Sequence, residues 1–251
     1  MKKKQKEPEP IPNNFINYYE TEAVKPHIIE HHNPSYNFET MPIKHPFRMC
    51  IVGASGSGKS NVLMGLIRAL DNTFNQIKLF TQDKDEPLYK TLEDAIPKPY
   101  LEIYEGIDSF NTLDLTQLEG QQLFIFDDFV IEPEKKQKKI CELYIRGRKM
   151  SKDNAGISCI YLTQSYYETP ITIRKQCTQL ILKKIMGKNE KNQIIRDCGA
   201  LDIEKDTLEA MYNYCVNGFD DISNFLFIDK AARSGYNFRK NLNEILNIDD
   251  F

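Results

Sequence analysis

Residues 53–60 read Gly53-Ala54-Ser55-Gly56-Ser57-Gly58-Lys59-Ser60, which satisfies the spacing G-x-x-x-x-G-K-[ST] in full. Glycines at these places let the chain wrap with its N–H groups turned inward on a phosphate chain, and a helix starting behind them adds its positive end. Lys59 is then placed to reach the β- and γ-phosphates and the Ser60 hydroxyl to ligate Mg²⁺, with Asn61 next in the cradle. The chemistry implied is binding of ATP with its magnesium. A chance glycine-rich turn is a poor account of a complete eight-residue pattern.

A magnesium ion held this way needs a carboxylate as well. The run Leu123-Phe124-Ile125-Phe126-Asp127-Asp128 is an apolar strand that ends in acid, and two adjacent like charges repel unless a cation lies near them. Asp127 is the expected metal residue. Asp128 is a candidate to orient and deprotonate an attacking water, although it could instead face solvent. A third apolar strand, Ile157 to Thr163, delivers Gln164 at its end. In a parallel sheet ligands sit beyond the carboxyl ends of strands, so this amide is placed to sense the γ-phosphate, unless it caps a helix from about 167.

These residues need elements to position them. From Phe47 onward, short β-branched or aromatic runs alternate with helical segments, which predicts βαβ units around a mostly parallel sheet. Strands are expected near 47–52, 76–81, 122–127, 157–163 and 179–185, with two further candidates at 101–105 and 225–229. The clearest helices are 59–71, 86–96, 133–150 and 204–217. The fold class is α/β.

Residues 1–46 differ: they hold seven of the twelve prolines, all four histidines and no glycine. We expect an extended proline-rich arm there, a folded domain over 47–240 and a tail over 241–251. A domain without histidine has no imidazole base, so its chemistry falls to carboxylates, amides, Lys and Arg. The six cysteines lie far apart with no C-x-x-C pair, and no apolar run approaches the ~20 residues that span a bilayer. A reducing compartment is expected, with no membrane role.

The net charge of -3 conceals an uneven distribution. Pro133 to Lys152 holds eight Lys/Arg against two Glu, and Arg174 to Arg196 seven against one, so each stretch carries +6. Lys135, Lys136, Lys138 and Lys139 in the first stretch, and Arg174, Lys175, Lys183, Lys184 and Lys188 in the second, could give sequence-independent contacts to nucleic-acid phosphates. Solvated surface faces are the alternative.

In order along the chain, GASGSGKS, FIFDD, a basic stretch with RGRK, and GISCIYLTQSYYETP resemble the FtsK-HerA superfamily of P-loop ATPases. Within it the resemblance is to the genome-packaging ATPases of large DNA viruses, polintons and virophages. It spans roughly residues 46 to 185. It implies a RecA/ASCE-like three-layer sandwich, and a ring, commonly a hexamer, in which an arginine of one subunit completes its neighbour's site. Arg148 is the candidate finger with Arg146 in reserve, though either could simply favour a helix end. It further implies a double-stranded DNA translocase that packages a viral genome, with a capsid protein as a further partner, in the virion or the infected-cell cytoplasm. A small-molecule or nucleoside kinase of the same fold is the rival, and it predicts phosphate transfer in place of phosphate release. A guanine-reading N-K-x-D motif does not occur.

Overall fold

The computed structural model describes residues 16–201, 203–216 and 222–251 of the chain. It divides into two compact units, 1–30 and 31–251. The described part of the first carries two short 3-10 turns, Tyr18–Glu20 and Lys25–His27.

The second unit is built on nine strands and seven helices among the described residues. In chain order these are β1 (Arg48–Val52), α1 (Lys59–Ala69), β2 (Gln76–Thr81), α2 (Pro87–Ala95), β3 (Leu101–Glu105) and α3 (Ile107–Thr112). There follow β4 (Gln122–Asp127), α4 (Glu134–Arg146), β5 (Ile157–Thr163), α5 (Ile171–Gln176), β6 (Gln179–Leu182), α6 (Lys188–Asp197), α7 (Lys205–Cys215), β7 (Leu226–Asp229), β8 (Phe238–Lys240) and β9 (Glu244–Ile245). All strands join one sheet in the order β3-β2-β4-β5-β1-β6-β7-β8-β9. The pairings from β3 through β6 are parallel, and β7, β8 and β9 add on antiparallel.

Alternation along the strands splits the core into two layers. Phe124 and Phe126 of β4, with Cys159 and Tyr161 of β5, pack under Phe110 of α3 and Ile140 and Leu143 of α4. Leu123 and Ile125, with Ile160 and Leu162, meet Leu63 and Leu66 of α1 and Leu92 of α2 on the other face. The three-layer α/β sandwich with a mostly parallel sheet is therefore as expected. Phe80 stacks on Phe126 with ring centroids 5.4 Å apart, and Phe110 meets Phe126 edge-on at 4.8 Å. This aromatic packing steadies the strand end that carries the acid pair.

Two expected boundaries shift. The compact unit starts at His31, not after 46, because Met41, Ile43, His45 and Phe47 are buried at alternate positions in an extended segment against the α1 face. Proline excludes helix there but not extended packing. The C-terminal stretch is likewise no loose tail: β9 pairs with β8, and Leu246 is buried. Helix expected over 133–150 ends at Arg146 and continues as a 3-10 turn, Gly147–Lys149. Residues 1–15 and 217 of the expected elements lie outside the described residues.

The compact unit thus contains His31, His32 and His45, and the role of His45 is structural. His45 is 3% exposed. Its Nε2 lies 2.7 Å from the Ala155 carbonyl oxygen and its Nδ1 2.7 Å from Ser158 Oγ, while the Phe47 N–H donates to that same Oγ. A carbonyl can only accept, so Nε2 carries the proton and Nδ1 accepts from the serine, which satisfies a neutral ring completely. Burial lowers the His45 pKa to about 4, with the Ala155 bond opposing and His31 adding. Because the folded value lies below the unfolded 6.5, this stability is complete above about pH 6.5 and is lost as pH falls toward 4. Between pH 7 and pH 5, wild type should lose about 2 kcal/mol of unfolding free energy relative to His45→Gln. Urea unfolding at the two pH values measures it, and a pH-independent difference would refute the role.

Candidate nucleotide site

The loop after β1 is fixed by its neighbours before any ligand is considered. Gly53 N–H donates to the Thr163 carbonyl at 3.2 Å and Ala54 N–H to that of Lys184 at 2.8 Å, which ties the loop to the ends of β5 and β6. A side chain at Gly53 would sit 2.6 Å from both Lys183 Cβ and Ser57 Oγ. Gly58 adopts φ +88 with the Ile222 carbonyl oxygen 2.6 Å from where a Cβ would be. Both positions are closed to other residues. Gly58 caps α1 without a side-chain hydrogen bond, so the first N–H groups of that helix stay available to an anion.

Strand register gathers the remaining groups. Asp127 at the end of β4 lies opposite Thr81 of β2 and Leu162 of β5, and Thr163 lies opposite Val52 of β1. A cavity of about 490 Å³ opens over these strand ends, lined by Gly58, Lys59, Ser60, Asp127, Asp128 and Gln164 among others. Its size suits a small-molecule ligand. Ser55, Gly56 and Asn61 also line it, whereas Gly53 and buried Ser57 shape the loop from beneath.

Lys59 Nζ donates to the carbonyls of Gly53 at 3.0 Å and Ala54 at 3.3 Å. Burial lowers its pKa, opposed by Asp127, Asp128 and Glu86. Burial also pushes the Asp127 carboxyl up to about 6; a hydrogen bond from Tyr89 opposes that, and Glu86 and Asp128 reinforce it. Asp128 takes the left-handed conformation, φ 59 and ψ 40, which aspartate tolerates better than most residues. Gln164 Nε2 donates to Asp128 Oδ2 at 2.9 Å. The alternative role of Gln164, capping a helix from about 167, is not seen: the next helix, α5, starts at Ile171 behind Pro170.

The cavity carries the carboxylates of Asp83, Glu86, Asp127 and Asp128 against the single ammonium of Lys59. That excess of hard oxygen donors fits a divalent cation such as magnesium. Among the described residues no three His, Cys, Asp or Glu side chains form a metal cluster by themselves. Magnesium does not require one, since it is commonly held through one or two protein oxygens plus phosphates and water. Ser60 and Asp127 are suited to be those protein ligands. Glu86, Gln82 and Ile222 line the same cavity without having been singled out by sequence. Tyr89, whose hydroxyl donates to Asp127 Oδ2 at 2.7 Å, was also missed. No motif marks these residues: the loop after β2 and α2 are brought to the site by the β2–β4 pairing, and Ile222 by the segment that precedes β7.

Arg146 and Arg148 are not brought to this cavity. Arg48, which starts β1, donates from Nη1 to the Tyr144 carbonyl at 3.2 Å. The end of α4 therefore lies at the start of β1, on the order of 15 Å from the loop at its other end. Both arginines are exposed and line a separate cavity of about 520 Å³ with Lys149.

Several of the lysines read as phosphate contacts have internal duties. Lys136 pairs with Asp108 at 3.2 Å and with Glu132 at 3.7 Å, and Lys139 donates to the carbonyls of Phe110 at 2.9 Å and Asn111 at 3.0 Å. Arg174 bonds Thr169 O at 3.0 Å and Asp197 at 3.5 Å. Lys183 is buried and donates to the carbonyls of Ile222 at 2.7 Å and Asn224 at 2.6 Å. Lys135 and Lys138 remain on the open face of α4, lining a cavity of about 470 Å³. No helix among the described residues is long and apolar enough to cross a membrane, and all six cysteines are free.

The family model of the Poxvirus A32 protein matches residues 35–92. Among solved structures, the genome packaging NTPase B204 from Sulfolobus turreted icosahedral virus 2, in complex with ATP-gammaS, gives a TM-score of 0.54 at 17% identity, covering 81% of this chain and 100% of that one. B204, the DNA-packaging ATPase from Sulfolobus Turreted Icosahedral Virus, gives 0.51 at 18% identity, over 74% of this chain and 94% of that one. ATPases 2 and 3 of EssC from Geobacillus thermodenitrificans give 0.50 at 13% identity, over 80% and 40%. No curated protein matches. At these identities the structural likeness establishes the P-loop ATPase fold. Together with the family match, it agrees with the resemblance to FtsK-HerA and viral packaging ATPases.

Proposed function

We propose that this protein is the ATPase that drives double-stranded DNA into a viral capsid, acting as a ring of identical subunits, commonly six in relatives of this kind. The observation that carries the reading is the convergence of Lys59, Asp127, Asp128 and Gln164 on one cavity, with Gln164 bonded to Asp128. The backbone N–H groups of residues 58–61 and the Lys59 ammonium cradle the phosphates. Magnesium held by Ser60 and Asp127 would neutralise charge that develops on the transferred phosphoryl group. Asp128 accepts a proton from the attacking water, and Gln164 fixes the carboxylate that does so. A chain of this kind releases free phosphate, and the Gln164–Asp128 bond favours that over transfer to another acceptor.

Arg148, with Arg146 beside it, lies near the start of β1, at the opposite ends of the strands from its own cavity, which supports a role on a neighbouring subunit's γ-phosphate. The face formed by Lys135, Lys138, Arg146, Arg148 and Lys149 is the best candidate for phosphate contacts, to the neighbour's nucleotide or to DNA. The 1–30 unit and the C-terminal residues are candidate contacts with capsid protein, in the virion or in the infected-cell cytoplasm.

Phosphate release measured with and without duplex DNA tests the motor. Stimulation by any sequence, weakening as salt rises, is expected; indifference to DNA would overturn it. For the ring, Arg148→Ala subunits mixed with Lys59→Ala subunits, each nearly inactive alone, should regain phosphate release, because a site with an intact Lys59 can then meet an intact Arg148 from its neighbour. A mixture as inactive as either variant alone means that Arg148 does not act across an interface.

A further inference from the structure

Tyr89 belongs to α2, an element that carries none of the motif residues. Its side chain is fully buried, and its hydroxyl donates to Asp127 Oδ2 at 2.7 Å. One phenol therefore touches the carboxylate suited to hold the metal. A buried tyrosine on a helix surface needs only some polar partner; here the partner is the single carboxylate on which the metal site depends.

We infer that Tyr89 is a positioning residue for the divalent cation, fixing the Asp127 carboxylate so that Oδ1 alone is presented to the metal. The inference rests on the functional reading above. With Oδ2 held by the phenol, rotation of the carboxylate is restrained and Oδ1 is left the freer oxygen, and magnesium demands near-ideal octahedral geometry that a monodentate oxygen serves. Partners of this kind behind metal ligands are worth about 10- to 100-fold in metal affinity. The tyrosine also ties the metal site to the loop after β2 and the start of α2, whose Glu86 and Leu88 line the cavity.

Tyr89→Phe keeps the buried ring and removes only the hydroxyl. The probe is Mn²⁺ bound in the presence of a non-hydrolysable ATP analogue, read by electron paramagnetic resonance. The Mn²⁺ dissociation constant should rise about 10- to 100-fold, while binding of the analogue in EDTA stays within about twofold. Turnover should be substantially recovered at high Mg²⁺, so that the loss lies in metal dependence and not in kcat. In an Asp127→Ala background the same substitution should have no further effect on Mn²⁺. Unchanged Mn²⁺ affinity in Tyr89→Phe overturns the inference, as does an equal loss of analogue binding in EDTA, which would mark a purely structural role. A wild-type chain without metal-dependent nucleotide binding overturns the functional reading along with it.

Discussion

Lys59→Ala is expected to lower kcat/KM for ATP hydrolysis by about 10³ or more, with the fold intact. Removing a single oriented donor from a charge-stabilising site costs about 10² to 10³, and here the donor is also the only ammonium lining the cavity among the described residues. Asp83, Glu86, Asp127 and Asp128 surround it. Without Lys59 these four carboxylates face a triphosphate that is itself anionic, so binding and turnover should both suffer. The backbone N–H groups at the start of α1 remain, since Gly58 leaves them uncapped, and should retain weak nucleotide affinity. Phosphate release at saturating Mg²⁺, beside equilibrium binding of a nucleotide analogue, measures both parts. Turnover within tenfold of wild type would show that Lys59 lies outside the chemistry.

The parallel strands were legible because each is a compact apolar run whose end carries a distinctive polar residue. β2, β4 and β5 were placed to the residue, since strands buried on both faces read as continuous apolar runs. The segment 41–47 was misjudged for an instructive reason. Proline content argued for a free arm, yet Met41, Ile43, His45 and Phe47 alternate with more exposed neighbours, the period-2 signal of a half-buried extended chain. Seven prolines outweighed that pattern. The helices α3 and α6 and the strands β8 and β9 were not found: they are short or polar, and tertiary packing decides them.

For the site, sequence disclosed what motif spacing encodes and nothing of what pairing brings in. Lys59, Ser60, Asp127 and Gln164 each lie at or just past a strand end, and a parallel sheet with that strand order must bring them together. Glu86 reaches the cavity, and Tyr89 the Asp127 carboxylate behind it, through the β2–β4 neighbour relation, which local pattern does not contain. Charge runs misled in the opposite sense. Lys136, Lys139, Arg174 and Lys183 looked like a phosphate-binding surface, but each has among its partners a carbonyl or carboxylate distant in sequence. Composition along a run counts charges without showing which are already satisfied.

Asp128→Asn should separate nucleotide binding from hydrolysis. Asparagine tolerates the left-handed conformation that Asp128 adopts at φ 59, and its amide oxygen can still accept the bond from Gln164 Nε2 now seen at 2.9 Å. What it cannot do is take a proton from water. A positioned general base contributes typically 10² to 10⁴ in rate, so kcat should fall by about that factor while affinity for an ATP analogue with Mg²⁺ changes little. Removing one negative charge beside Asp127 should if anything ease binding, because Asp128 is among the groups that hold the Asp127 pKa up. Gln164→Ala should fall between the two, since it leaves the base in place but unanchored. A variant Asp128→Asn that hydrolyses at the wild-type rate would shift the base role to another cavity carboxylate, with Glu86 first in line. One that loses nucleotide binding as well would mean that Asp128 belongs with Asp127 at the metal.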